Sequence, residues 1–329
     1  MSTTESATLP EDLPQVQPPS AGFILQLFVV PGLIVVVVIA VWLLFGKLAT
    51  AEQNWRGLVR ELQQPNQHRR WRGALGLAQL LKADQELKTG GQRLASNHEL
   101  ARTLSEVFDQ ELRRSNQDAD NLKYQSMLAR TLGMFDLPEI VTPPLREAIH
   151  VGRDRDVRKD SLAAVAVLLG RMAENGHPLY DDALFADVIE VSADEDPLIR
   201  QLGAFTLGLA NGETAQRRLV VLLDDADTNT RINAAIGLAR QKDLTGYRVL
   251  RDILKDGVAP AEGEKSLRLE QYLAVRNCLA AIERVAGGLS AEQRMELTSL
   301  ITPLANSAPD SRLRIDAKQA LLTLQSTGR

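Results

Sequence analysis

What is scarce in this 329-residue chain bounds it first. It holds one cysteine, Cys278, so no disulfide can form within the chain and no multi-cysteine zinc or iron–sulfur site can be built. The Leu279-Ala280-Ala281-Ile282 context predicts a buried thiol, because nothing nearby would lower its pKa and make it a nucleophile. Aromatic residues are 4% of the chain against 44% hydrophobic residues overall, so any core must be aliphatic and alanine-rich, which favours helices packed on helices. Alternating β-branched and aromatic runs of period 2 are absent after residue 50, where Leu, Ala, Arg, Glu and Gln dominate. An all-α fold is expected.

Basic residues are missing from the first 46 positions, which hold only Glu5, Glu11 and Asp12 as charges. Residues 23–45 are apolar except for Gln26, and as a helix they would extend about 34 Å, enough for a hydrocarbon core of roughly 30 Å. One transmembrane helix is therefore expected at 23–45, with Pro31-Gly32 kinking it or confining the embedded stretch to 33–45. Trp42 lies near the downstream boundary, where an amphipathic ring is favoured. Lys47, Arg56 and Arg60 follow the span, and this asymmetry predicts an inner (plasma) membrane protein with its N-terminus outside and its C-terminal domain cytoplasmic. A cleaved signal peptide ending near Ala49-Thr50-Ala51 is the competing reading. It lacks support from a basic n-region, and its apolar stretch exceeds the usual 7–15 or so residues. Residues 1–22, with Pro10, Pro14, Pro18 and Pro19 among Ser, Thr and acids, read as a disordered extracytoplasmic tail.

The remainder, 47–329, is internally repetitive. An acid, an arginine four residues later and a run of small and aliphatic residues recur at Asp154/Arg158, Asp196/Arg200, Asp227/Arg231 and Asp310/Arg314. Weaker copies centre on Arg72 and Arg276, with His68 and Tyr272 in the acid's place, and a seventh on Lys123. From Arg72 to Arg314 six steps cover 242 residues, or about 40 per unit, within the range for two-helix repeats. The acid suits a helix N-cap, Pro197 the first turn, and the small residues a close helix approach. The partner helices read as 54–63, 98–112, 137–150, 179–191, 215–223, 245–254 and 291–304. Each carries an apolar stripe such as Leu100, Leu104, Phe108 and Leu112. Two interruptions, 83–97 and 257–266, read as loops.

The Asp-x-x-x-Arg opening and the Ala-Leu-rich second helix resemble HEAT repeats of the armadillo-like α-solenoid class. The resemblance implies a right-handed α-solenoid of about seven helix pairs, preceded here by the transmembrane helix. It also implies an inter-repeat ladder made by Asp154, Arg158, Asp196, Arg200, Asp227, Arg231, Asp310 and Arg314. About function it is nearly silent, since solenoids host unrelated roles.

Among HEAT-like enzymes, deoxyhypusine hydroxylases carry repeated His-Glu pairs on a di-iron centre. This chain has one, His98-Glu99; His68, His150 and His177 lack that neighbour, so no metal site is expected. HEAT-like alkylpurine glycosylases need a basic groove, whereas after residue 46 the 38 bases meet 39 acids, and no nucleic acid is expected. The clusters Arg69-Arg70-Arg72, Arg113-Arg114 and Arg217-Arg218 read as solvated faces or, for the first, which lies nearest the span, as a juxtamembrane contact with anionic lipid. Phycobilin lyases are HEAT-like too, without a motif that would separate them here. Nucleotide, dinucleotide, nucleophile-elbow and HExxH zinc motifs are absent. Asp181-Asp182 and Asp224-Asp225 are adjacent in sequence and so point apart. No catalytic residue, cofactor or small-molecule substrate is expected. The leading expectation is a membrane-anchored, non-catalytic protein–protein interaction scaffold binding through the face lined by second helices. The alternatives are a structural accessory subunit of a membrane complex, or a HEAT-like enzyme acting on a lipid or tetrapyrrole.

Overall fold

The computed structural model describes residues 55–87, 92–114, 118–257 and 267–327, together with Gly22, Leu33, 35–39 and Val41. The chain divides into two units, Met1–Asn54 and Trp55–Arg329. In the first, the few described residues are helical and exposed. Among the described residues no helix is long and apolar enough to cross a membrane. The expected tail and the expected span at 23–45 lie, those few positions apart, outside the described residues.

The second unit holds fourteen α-helices among its described residues: α1 Trp55–Leu62, α2 Gln67–Glu86, α3 His98–Leu112, α4 Ala119–Leu132, α5 Pro138–Ile149, α6 Arg155–Glu174, α7 Asp182–Val191, α8 Pro197–Leu207, α9 Glu213–Leu222, α10 Thr228–Arg240, α11 Tyr247–Gly257, α12 Leu269–Val285, α13 Ala291–Ser307 and α14 Ser311–Ser326. They pack as seven consecutive hairpins, α1 on α2 through α13 on α14. The even-numbered helices also pack on one another in succession from α2 to α14, so the second helices form a continuous row. This is an all-α repeat stack. The first helices match the stripes read from the sequence to within a few residues. The interruptions are shorter than expected: α2 continues to Glu86 and α11 includes Gly257, because the apolar spacing of Leu77 and Leu81, and of Leu250 and Leu254, keeps those turns packed.

Six of the seven second helices begin on an Asn or Asp whose side chain accepts a backbone N–H of the first turn: Asn66, Asp118, Asp154, Asp196, Asp227 and Asp310. The core between the rows is aliphatic, with Leu100, Leu104, Phe108 and Leu112 all at 2% exposure or less. It falls into two clusters that meet within α10: Ala234 and Leu238 belong to the first, Ala235, Ile236 and Ala239 to the second. One helix thus serves both neighbours, which is why its Asn233-Ala-Ala-Ile-Gly-Leu-Ala239 run is small and apolar almost all round.

Helix α5 contains Pro143 and Pro144, which deny their usual helical donors to the carbonyls four residues back. The hydroxyl of Ser105 on α3 donates to the Ile140 carbonyl at 3.2 Å, filling the place that Pro144 vacates and tying two successive first helices together.

Candidate interaction surface and its arginine rungs

The repeat motif places an arginine at the fourth helical position, one turn beyond the cap, where its side chain lies back over the helix start. Arg200 donates to the carbonyls of Asp194 and Glu195, Arg231 to those of Asp225 and Ala226, and Arg314 to those of Ala308 and Pro309. In each case the two residues just before the cap are clamped, so the arginine fixes the turn inside its own hairpin. Arg231 adds a bond to the Thr228 hydroxyl. Arg158 reaches the Ile149 carbonyl instead, at 3.0 Å.

Two of these arginines also cross to the next repeat, but not to the acids that the HEAT resemblance assigns. Arg158 meets Asp194 at 2.5 Å, and Arg200 meets Asp225 through both carboxylate oxygens at 3.0 Å. Asp194 and Asp225 each stand two residues before a cap, where each also accepts the cap's own N–H at 2.8 Å. The cap aspartates Asp154, Asp196, Asp227 and Asp310 are engaged by the backbone of the helix they start. Their remaining capacity goes to other groups: Arg155 pairs with Asp196, Gln201 donates to Asp227 at 3.1 Å, and Tyr272 donates to Asp310 at 3.0 Å. The expected ladder is therefore corrected in its pairing. Arg231 and Arg314 show no carboxylate partner among the described residues. Asp194 and Asp225 had a legible signal in the repeated Asp-x-Asp of 194–196 and 225–227.

Three of these carboxylates are held below their ordinary pKa. The hydrogen bond from Arg155 holds Asp196 below the usual carboxylate range. For Asp225 burial pushes upward most strongly, yet Arg200 and the Asp227 N–H together outweigh it and hold the group low. Asp310 is held low chiefly by the Leu313 N–H, with Tyr272 contributing.

In the first hairpin the fourth position after cap Asn66 is Arg70, not Arg72. Arg70 is buried and donates to Glu111 at 2.7 Å and to Asn121 at 3.1 Å, both from the next repeat. Arg72 instead pairs with Glu61 on the surface at 2.6 Å. The Tyr124 ring packs under Arg70 at 5.0 Å and edge-on to Trp71 at 6.2 Å. Burial, reinforced by the Glu111 charge, pushes the Tyr124 phenol strongly upward. Arg70 Nε, Glu111 Oε2 and the Tyr124 hydroxyl have no hydrogen-bond partner among the described residues.

The histidines are dispersed. His98 lies 4.0 Å from Glu139 and His150 lies 4.0 Å from Asp187, while Glu99 is paired with Arg56 at 2.8 Å. Among the described residues no group of three His, Cys, Asp or Glu side chains is placed to hold a metal ion. Cys278 is fully buried and donates to the Leu250 carbonyl at 3.2 Å, and burial pushes its thiol strongly upward.

Two surface features face solvent along the later repeats. Between α12 and α14 a shallow groove of about 260 Å³ runs over Leu273, Asn277, Ala280 and Gln319, on the face of second helices. At the junction of α10, α11 and α12 a recess of about 280 Å³ has Ile232, Ile253 and Val275 in its lining and Asp252, Asp256 and Glu270 around them.

No family model and no curated protein sequence matches the chain. Among solved structures it is similar to the designed armadillo repeat protein YIII(Dq)4CqI, at 19% identity over 67% of this chain and 99% of that one, with a TM-score of 0.41. It is similar also to human deoxyhypusine hydroxylase in complex with glycerol, at 18% identity over 85% and 99%, TM-score 0.32. A chain of the Kap95:Nup1 complex matches at 9% identity over 88% of this chain and 38% of that one, TM-score 0.41.

Proposed function

We propose that this protein is a membrane-anchored, non-catalytic scaffold that presents its row of helix hairpins to a cytoplasmic protein partner. The observation that carries the reading is the unbroken succession of second helices from α2 to α14, an extended surface of the kind that repeat stacks use for binding. The charged side chains of the repeat motif support it, since they are engaged in caps, turn clamps and inter-repeat rungs rather than gathered around a reacting centre. Anchoring rests on the apolar stretch at 23–45, and orientation on the basic residues that follow it and are missing before it.

The test combines topology with capture. A reporter fused after Arg329 is expected to be active only on the cytoplasmic side, with full-length protein retained in membranes. Crosslinking there is expected to trap a protein partner, whereas co-purification at fixed stoichiometry in mild detergent would favour a structural subunit of a membrane complex. An extracytoplasmic C-terminus would overturn the orientation. Failure to trap a partner under conditions that preserve known complexes would overturn the scaffold reading.

A further inference from the structure

Resting on the scaffold reading, we infer that the recess at the α10–α11–α12 junction receives an arginine side chain of the partner polypeptide. Its volume, about 280 Å³, falls just under the range of roughly 300–1,000 Å³ for small-molecule sites and suits one large side chain. The lining is divided in character: Ile232, Ile253 and Val275 offer an apolar surface, and three carboxylates, Asp252, Asp256 and Glu270, stand with them. An amphipathic side chain, with a methylene stem and a charged head, matches both parts at once.

The charge at the recess is available. Asp256 and Glu270 are exposed, and neither has a hydrogen-bond or ion-pair partner among the described residues. Asp252 uses one oxygen, Oδ1, for Arg251. The one base in the lining, Arg231, donates to two carbonyls and the Thr228 hydroxyl; neutral acceptors leave its charge in place, so the three carboxylates exceed it and the recess keeps an excess of negative charge. The acids come from two helices, Asp256 from α11 and Glu270 from α12. A planar guanidinium with donors along several edges can address two separate carboxylates, whereas an ammonium is a compact point charge. Arginine is thus favoured over lysine. An anionic ligand would meet the same carboxylates as repulsion.

The probe is a fluorescein-labelled peptide of alternating arginine and serine, titrated by anisotropy against the full chain in detergent micelles at about 150 mM salt, where the screening length is roughly 8 Å. Asp256→Asn with Glu270→Gln is expected to weaken binding at least about tenfold. Ala274→Trp, which fills the recess without touching a charge, is expected to do the same. Lysine in place of arginine in the peptide is expected to bind several-fold more weakly. Neutralising two acids of the first two hairpins, Glu86→Gln with Glu106→Gln, is expected to change affinity less than about twofold. Equal binding by all variants, or an equal loss in the remote pair, would overturn the inference in favour of bulk charge attraction. If Ala274→Trp still traps the crosslinked partner at full yield, the scaffold stands and the recess assignment fails. If wild type traps nothing, the scaffold fails, and the peptide titration still decides whether the recess takes arginine.

Discussion

Glu111 and Arg70 illustrate how much depends on where an ion pair sits. Their side chains are 4% and 8% exposed, so removing one leaves the other as an uncompensated charge inside the protein. Glu111→Ala is expected to cost about 3–5 kcal/mol, read as a shift of the denaturant midpoint. Replacing both, Arg70→Met with Glu111→Leu, is expected to recover most of that loss, because the charge to be compensated is gone. Equal losses in the single and double variants would mean that the site depends on packing and not on charge. The contrast is the surface pair Arg72–Glu61, whose arginine is 68% exposed. Arg72→Ala is expected to change stability by less than about 1 kcal/mol.

Asp225 carries a pH signature. Folding lowers its pKa, so the ionised form contributes stability that is fully present above the unfolded value of about 3.9 and is lost as pH falls through the lower folded value. Asp225→Asn lacks that titration. The gap in melting temperature between wild type and variant is therefore expected to hold steady above about pH 4 and to narrow as pH falls below it toward about pH 2. A gap that stays constant over that range would show that the carboxylate's charge is not what Arg200 uses.

At the scale of the helix, the seven hairpins were legible because several levels of the sequence agreed: an apolar stripe, then a capping acid in four of the units, then a run of small residues. The pairing between repeats was less legible. A cap aspartate and an aspartate two residues earlier look alike in a linear pattern, and only the turn geometry assigns one to the helix backbone and the other to a neighbour's arginine. The slip from Arg70 to Arg72 has the same origin. Three arginines crowd the first turns of α2, and the cap Asn66, not an acid, decides which of them points inward.

Close helix approach gives the element-scale prediction. A Cβ on Gly237 of α10 would stand 2.7 Å from Gly208 Cα, at the end of α8, and backbone cannot yield as a flexible side chain does. Gly237→Ala is expected to destabilise by about 1–3 kcal/mol although alanine is the better helix former. Gly170→Ala in α6, where nothing lies within 4 Å of the added carbon, is expected to stabilise by up to about 1 kcal/mol. Thermal unfolding of the two variants beside wild type separates them. Two changes of the same sign would mean that helix propensity, and not the contact between α8 and α10, governs position 237.

Across the whole stack, each hairpin rests on its neighbours, and the core changes cluster within α10. Stability in such an array is close to a sum of hairpin terms and nearest-neighbour terms, so a lesion is felt locally. Leu128 of α4 is fully buried in the first cluster, and Leu128→Ala is expected to remove about 2–5 kcal/mol of local stability. In amide hydrogen exchange this appears as faster exchange in α3 to α6, with protection in α12 to α14 unchanged, because the first cluster draws none of its buried residues from those helices. The reciprocal lesion, Leu279→Ala in the second cluster, is expected to loosen α11 to α14 and leave α3 to α6 protected. Since α10 contributes buried residues to both clusters, it is expected to respond to the second change and, through Ala234 and Leu238, to resist losing order altogether. If either variant raised exchange uniformly from α1 to α14, the unit would be one cooperative body, and the meeting of the two clusters within α10 would mark a boundary of packing without being one of stability.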